Sequence, residues 1–273
     1  MTDRHETFKA LHVKGAAFVI PNPWDAGSAK VLAALGAKAL ATTSSGMAFT
    51  LGRPDQGTVT REEALAHAEA IVAATPLPVS GDFENGFGDA PEDVAETVRL
   101  AAEAGLSGCS IEDAYLPSTK PYDFDLAVER IKAGVAAARA LPHPFVFCAR
   151  ADGWLNRAYD AEEALRRIAA FDAVGPDLLY APGLKLPDQE RLVRATETPV
   201  NVLTAGRVAD VPRAKWAEMG VARLSVGGAL ARRTQKTLID AARAMLDNGD
   251  FSAMAPPGED VDAMLASVGA TSG

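Results

Sequence analysis

A parallel α/β barrel of eight strand–helix units is the fold this sequence predicts, on three observations. Short β-branched or apolar runs alternate with amphipathic stretches rich in Ala, Glu and Arg, eight times along the chain. The length of 273 residues suits such a barrel, for which roughly 250 residues is typical. No Gly-rich dinucleotide fingerprint follows the first strand, which argues against an open doubly wound sheet.

In chain order, the apolar runs place strands at 18–20, 39–43, 79–82, 108–111, 145–150, 178–180, 200–203 and 223–226. The amphipathic stretches that follow them place helices at 26–35, 61–74, 91–104, 125–140, 161–174, 187–195, 211–219 and 228–246. Gly36, Gly105, Gly175 and Gly220 stand just past four of these helices, where a left-handed cap is wanted. Outside the units lie an N-terminal helix at about 6–13 and a C-terminal tail at 254–273. In that tail Pro256-Pro257-Gly258 breaks the chain before a last amphipathic turn at 261–268. The tail reads either as a segment packing on a neighbouring subunit or as a loosely attached end. Residues 1–273 read as one barrel domain.

Composition narrows the function classes. A formal charge of −9 argues against nucleic acid and anionic membrane surfaces as partners. Small anionic substrates stay open, because local arginines decide that. The two cysteines, Cys109 and Cys148, fall in predicted strands without a repeated spacing and read as buried, reduced thiols of a cytoplasmic protein. Asp3 and Glu6 at the N-terminus are unlike a signal peptide, and no apolar stretch is long enough to span a membrane.

Charged residues recur where strands end and loops begin, on the face where such barrels do their chemistry. Asp82 and Glu84 follow Pro78-Val79, with alternation placing both on one side and Phe83 opposite. Carboxylates two apart, followed by Gly86 and Gly88, suit a Mg²⁺ ion that takes one or two acids and fills its octahedron with water and substrate oxygens; a helix-capping loop is the plainer reading. Glu112 and Asp113 end the next strand, where parity turns Ser110 and Glu112 inward and Cys109 and Ile111 toward the helices. Arg150 ends the fifth strand with a planar fork suited to a carboxylate. An ion pair to Glu112 or Asp152 is the structural alternative, and both roles can coexist. Cys148 shares the parity of Arg150 but lies deeper, as a core thiol. Thr42-Thr43-Ser44-Ser45-Gly46-Met47 offers hydroxyls and backbone N–H groups to a carboxylate. Asp55 can reach a metal through water, and Asn201 is a neutral donor at the end of the seventh strand. The four histidines stand at none of these strand ends, so neither a His-based metal site nor a serine-type triad is expected.

At these residues the chain resembles the isocitrate lyase/phosphoenolpyruvate mutase superfamily. The resemblance covers about the first 245 residues, and rests on Asn22-Pro23-Trp24-Asp25-Ala26, Ser45-Gly46, Asp82-Phe83-Glu84-Asn85-Gly86-Phe87-Gly88, Ile111-Glu112-Asp113 and Arg150-Ala151-Asp152. It implies a (β/α)8 TIM barrel, a homo-oligomer (dimer or tetramer) with a C-terminal helix often exchanged between subunits, and a Mg²⁺ or Mn²⁺ cofactor. Carried over residue by residue, Asp82, Glu84 and Glu112 hold the metal directly or through water, with Asp55 nearby. Trp24, Ser45, Gly46 and Met47 bind the oxo-acid substrate, Arg150 grips its carboxylate or stabilises developing charge, and Asn201 contacts a second anionic group.

The implied chemistry is cleavage of a C–C bond in a small 2-oxo or 2-hydroxy dicarboxylic acid through a pyruvate-type enolate. A phosphonomutase or phosphonopyruvate hydrolase and a non-catalytic oxo-acid binding protein are the alternatives. Isocitrate and methylisocitrate lyases carry a Lys-Lys-Cys-Gly-His loop, or a similar one, after the fourth strand. Here that loop runs Ala114-Tyr115-Leu116-Pro117-Ser118-Thr119-Lys120-Pro121-Tyr122, without cysteine or histidine. That absence points to decarboxylation of oxaloacetate as the simplest reaction and leaves Lys120 or Tyr115 as a gate. Glu84 also stands where many members have aspartate.

Overall fold

A computed structural model describes residues 3–255 and 260–268. Eight parallel strands, β1 (Phe18–Ile20), β2 (Leu40–Ala41), β3 (Val79–Asp82), β4 (Gly108–Glu112), β5 (Val146–Arg150), β6 (Leu178–Tyr180), β7 (Val200–Leu203) and β8 (Arg223–Ser225), run in the order β1-β8-β7-β6-β5-β4-β3-β2. The ladder is open between β1 and β2, where one backbone bond, Ala41 N–H to Pro21 O at 3.1 Å, crosses the seam. Asn22 reinforces it: its amide donates to Thr42 O, and its Oδ1 accepts from the N–H groups of Val226 and Gly227. The TIM-barrel-like (β/α)8 architecture is therefore as the alternating pattern predicts.

The helices are α1 (Arg4–Ala10), α2 (Ala26–Ala34), α3 (Ser44–Thr50), α4 (Arg61–Ala74), α5 (Pro91–Glu103), α6 (Phe124–Arg139), α7 (Ala161–Val174), α8 (Leu186–Ala195), α9 (Arg213–Glu218), α10 (Ala229–Asn248) and α11 (Val261–Ser267). Gly36, Gly105, Gly175 and Gly220 all have φ between +82° and +91°, the left-handed conformation that glycine adopts without a Cβ penalty.

Alternation sorts each strand into two cores. Outward residues such as Cys109, Ile111 and Phe147 pack with Ile71, Val98, Ile168 and Trp216 of the helical layer. Inward residues Phe18, Ile20, Val146, Cys148 and Leu178 fill the barrel together with Phe8. Phe8 belongs to α1, so the N-terminal helix plugs the floor of the barrel; Asp3 caps it by accepting from His5 N–H.

Two local expectations change. The strand at 39–43 ends at Ala41, because Thr43 turns to cap α3, a helix over residues that read as a loop. The N-terminal helix runs Arg4–Ala10 and not 6–13. Pro256-Pro257-Gly258 lies outside the described residues, and beyond it α11 packs against α2 of its own chain. No described helix is long and apolar enough to cross a membrane.

Candidate active site

At the C-terminal ends of the strands lies a cavity of about 430 Å³. One side is built by Thr42, Thr43, Ser44 and Ser45 from the β2–α3 junction, Asp55, Asp82 and Arg150; Ser80, Ser110, Tyr180, Arg223 and Ser225 reach it from the strands.

The register explains its centre. Pairing β4 with β5 sets Glu112 beside Arg150, and pairing β3 with β4 sets Asp82 beside Ser110. Arg150 donates to Asp152 through both Nε (3.1 Å) and Nη2 (2.7 Å), and to Asp82 Oδ1 through Nη1 at 2.6 Å. Its Nη2 also stands 3.2 Å from Glu112 Oε2. The ion-pair alternative for Arg150 is thus present, with one guanidinium serving three carboxylates. Asp82 accepts at Oδ2 from both the N–H and the Oγ–H of Ser44, each at 3.0 Å, which ties its carboxylate to the first turn of α3.

Glu84 stands on the side of Asp82 that parity expects, with Phe83 in the outer core, but by a different backbone route. The strand has ended at Asp82, and Glu84 has φ +46°, a left-handed conformation costly for a side-chain-bearing residue. Its Oε1 accepts from Gly57 N–H at 3.0 Å. Burial pushes its carboxyl up to about 7, against the Gly57 bond and helped by the charges of Asp82 and Asp55. The loop that holds it is pinned from below by buried Arg130, which donates to the carbonyls of Asn85, Gly88 and Ala90. Thr97 Oγ1 donates to Gly86 O at 2.7 Å.

Asp55 is raised by burial and then by the Asp82 charge, and Glu112 well above the usual range by burial and then by the Asp152 charge. These acids crowd one another around a single fully engaged arginine, an arrangement that a hard cation would relieve. Only Asp55 and Asp82 of the four expected metal acids line the cavity; Glu84 and Glu112 are buried behind it. Among the described residues no three acid, histidine or cysteine side chains stand together as a ready-made metal cage. The donors therefore suit an ion with one or two direct carboxylates and the remainder of its shell from water or substrate, with the buried acids acting on it through water.

The other expected residues divide. Ser45 lines the cavity, and its Oγ accepts from Arg232 Nη2 at 3.1 Å. Gly46 and Met47 do not: their N–H groups bond Thr43 Oγ1 and Thr43 O, and Met47 packs in the outer core. Gly46 is small because a Cβ there would stand 2.7 Å from both Trp24 Cβ and Thr43 Cγ2, so Trp24 acts as a backing for α3 and not as a cavity wall. Asn201 is fully buried one layer below, donating to Ser225 Oγ at 2.9 Å and accepting from Arg223 Nε at 2.8 Å; Leu203 holds the cavity position on β7. Lys120 is exposed, with its carbonyl bonded to Tyr115 N–H, while Tyr115 packs on the ring of Tyr122 at 4.0 Å. Neither lines the cavity. Asp113 is a structural hub, bonded by Arg167, Tyr159 and the Asp152 N–H.

Ser44 meets a carboxylate as its run suggested, that of Asp82; sequence reasoning missed Tyr180, Arg223, Ser225 and Arg232. Parity could have found Arg223 and Ser225, two polar inward positions on one short strand. Arg223 is buried with neutral partners: Asn201, the Cys148 thiol at 3.8 Å, and His12 Nε2 at 3.5 Å. His12 donates from Nδ1 to Phe8 O, and burial, followed by the Arg223 charge, lowers it to about 3, so the imidazole is neutral. Cys148 is raised to about 11 by burial and stays a thiol, as the core reading expected.

Fold and site together define an α/β-barrel enzyme class whose acids, arginine and helix start converge on the strand ends. Residues 8–246 match the family model described as phosphoenolpyruvate phosphomutase. The chain belongs to the isocitrate lyase/phosphoenolpyruvate mutase superfamily, whose members are lyases and mutases. It is 34% identical to the 2,3-dimethylmalate lyase of Eubacterium barkeri over 66% of this chain and 63% of that one. It is 30% identical to the oxaloacetate decarboxylase of Chromohalobacter salexigens, over 83% and 79% respectively. A crystal structure from Burkholderia cenocepacia J2315, of a protein classed as a lyase/mutase, superposes with a TM-score of 0.90 at 47% identity, covering 96% of this chain and 95% of that one.

Proposed function

We propose that this protein is a divalent-metal-assisted carbon–carbon lyase or decarboxylase for a small 2-oxo or 2-hydroxy dicarboxylic acid. The observation that carries the proposal is the Arg150 centre: one guanidinium shared by Asp82, Glu112 and Asp152, at a cavity edged by the α3 start. The named relatives act on dimethylmalate and oxaloacetate, acids of this class. Mg²⁺ or Mn²⁺ would be held by Asp82, with Asp55, Glu84 and Glu112 acting around it, and would supply Lewis-acid stabilisation of negative charge on a substrate oxygen.

The chain's own groups do the rest. Ser44 and Arg150 orient Asp82 through both of its oxygens, and the Ser45 hydroxyl with Arg232 offers donors to a substrate carboxylate. Tyr180 faces the cavity with its hydroxyl pushed up by burial, so Oη keeps its proton and can donate it or a hydrogen bond to a carbanionic carbon or enolate oxygen. The loop after β4 contributes no acid, since Tyr115 is tucked onto Tyr122. Decarboxylation, in which CO2 leaves before protonation, fits that lack.

The test is pyruvate formation from oxaloacetate by the purified protein with Mg²⁺. Turnover above the metal-only rate, lost with EDTA and in Asp82→Asn, supports the proposal. Absence of turnover on oxaloacetate and on alkylated malates refutes it, and leaves a binding protein if oxalate still binds. Carbon–phosphorus chemistry is the second reading, favoured by Arg223 and Arg232 at the cavity; ³¹P NMR with phosphonopyruvate separates the two. Assembly as a dimer or tetramer belongs to the same proposal. It is supported by the exposed Leu238, Ile239 and Leu246 of α10, and light scattering measures it. The buried, unpaired Cys109 and Cys148 support a cytoplasmic setting.

A further inference from the structure

Parallel barrels of this kind fill their interior with layers of bulky branched side chains. Here three inward positions on β3, β4 and β8 carry serine instead: Ser80, Ser110 and Ser225 are buried, and all three line the cavity. The cavity therefore reaches down between the strands from the rim where Asp82 and Arg150 stand. Arg223 lines it as well, one inward position deeper than Ser225 on the same strand.

Arg223 is only 4% exposed, yet no carboxylate pairs with it among the described residues. The acids at the rim, Asp82, Glu112 and Asp152, are gathered by Arg150. The partners of Arg223 are neutral. Its Nε–H donates to Asn201 Oδ1 at 2.8 Å, whereas Nη1 and Nη2 have only long contacts, to His12 Nε2 at 3.5 Å and to the Cys148 thiol at 3.8 Å. Of the five N–H groups of the guanidinium, two have no partner among the described residues. Like-charged Arg150 adds repulsion. A guanidinium taken out of water without a counter-charge is strongly unfavourable, and an anion at its Nη groups would relieve that cost. The groove beside the cavity offers Arg157 and Arg207, but both are exposed and keep their water, so they make no such demand.

We propose that Arg223 is the counter-charge for the substrate's second carboxylate. The metal-side end of the substrate lies at the rim by Asp82 and Ser44, and the remote carboxylate descends past Ser110 and Ser225 to the Nη groups. This rests on the dicarboxylic-acid reading of the cavity and adds the residue that distinguishes a di-acid from a mono-acid. Asn201 is then a positioning residue, which holds the guanidinium by Nε and leaves the Nη groups for the anion. Its neutrality matters, because a carboxylate in its place would satisfy the arginine from within.

The experiment is calorimetric titration of the full-length, Mg²⁺-loaded protein with oxalate, which occupies the metal side alone, and with N-carboxymethyl and N-(2-carboxyethyl) oxamate, which add a second carboxylate at two reaches. Each di-acid is compared with its neutral terminal amide, the same shape without the charge. Oxalate should bind, and the better di-acid should exceed its amide by about tenfold or more, the range of a hydrogen-bonded charge in a buried site. In Arg223→Met that preference should fall to about twofold or less, while oxalate affinity stays within about twofold of the wild type. Asn201→Asp should erase the preference too, with the guanidinium retained but already paired. Circular dichroism and thermal melts check the folding of both variants, and Asn201→Asp, which conserves side-chain volume, carries the test if Arg223→Met does not fold. A preference absent from the wild type or surviving in either variant overturns the proposal and leaves the oxo-acid reading standing, as does an equal loss for oxalate and di-acids in the variants. Failure of oxalate itself to bind the wild type overturns the oxo-acid reading, and the Arg223 subsite with it.

Discussion

Replacing Arg150 with methionine keeps most of the side-chain volume and deletes the charge that Asp82, Glu112 and Asp152 share. The Arg150 side chain is 11% exposed, and those of Asp152 and Glu112 are 4% and 9% exposed, so water can do little to compensate. Removing one partner of a buried ion pair costs about 3–5 kcal/mol, because the charge left behind stays desolvated. The loss should depend on pH with a definite sign. Glu112 is already raised well above its ordinary value, first by burial and then by the Asp152 charge, and Arg150 is the group that opposes the rise. A carboxyl raised in the folded state contributes fully below its unfolded value of about 4.5, and that contribution is lost as pH rises through the folded value. Without Arg150 the folded value climbs further, so the variant should lose most at pH 8 and recover part of the loss at pH 5, where Glu112 takes a proton. Urea denaturation followed by fluorescence and circular dichroism at both pH values measures this. The double variant Arg150→Met, Asp152→Asn removes both halves of the bidentate pair and should regain about 1–3 kcal/mol relative to the single variant. A single-variant loss below about 1 kcal/mol at pH 8, equal to that at pH 5, would refute the view that this arginine is the counter-charge of the site.

Three further outcomes follow from the same geometry. His12 is lowered from 6.5 to about 3, so the unfolded chain binds its proton first and stability falls as pH drops below about 6.5. Between pH 7 and 5 this linkage amounts to about 2 kcal/mol, which His12→Leu should abolish in paired urea melts; an unchanged pH slope would show that the ring is not held neutral. Gly46→Ala should cost about 1–3 kcal/mol by overpacking against Trp24 and Thr43, and should weaken oxalate binding by shifting α3; an unaltered thermal midpoint refutes the close approach. Arg130→Met leaves the carbonyls of Asn85, Gly88 and Ala90 without their donor, at about 3 kcal/mol. The amides of residues 85–88 should then exchange with solvent faster, and unchanged protection would mean that the loop carrying Glu84 is held by other contacts.

The barrel was legible because its strands are buried on both faces and read as unbroken apolar runs, Phe145-Val146-Phe147-Cys148 being the clearest. The pairing of Glu112 with Arg150 was legible for the same reason: adjacent parallel strands that end in charge deliver those charges to one rim. α3 was not, since Ser44-Ser45-Gly46 has the composition of a turn and becomes helical through tertiary contacts, with Thr43 capping it and Asp82 gripping its first residue. Glu84 lies past the last extended residue in a left-handed conformation that alternation does not describe, yet its carboxyl feels the Asp82, Asp55 and Arg150 charges while Phe83 packs in the outer core.

Asn201 is the most instructive case. It shares its inward parity with Leu203, and a period of two cannot distinguish residues that face the same interior at different depths. Depth is set by strand tilt and stagger around the barrel, which pair Asn201 with Arg223 and Leu203 with Ser225. The polar residue on β7 therefore belongs to the layer that supports Arg223, and the apolar one faces the cavity. Favouring polar residues at strand ends selects Asn201 for the cavity position that Leu203 holds. With Leu203 in place, Asn201 acts on the cavity through Arg223, whose Nε–H it accepts and which lines the cavity from β8.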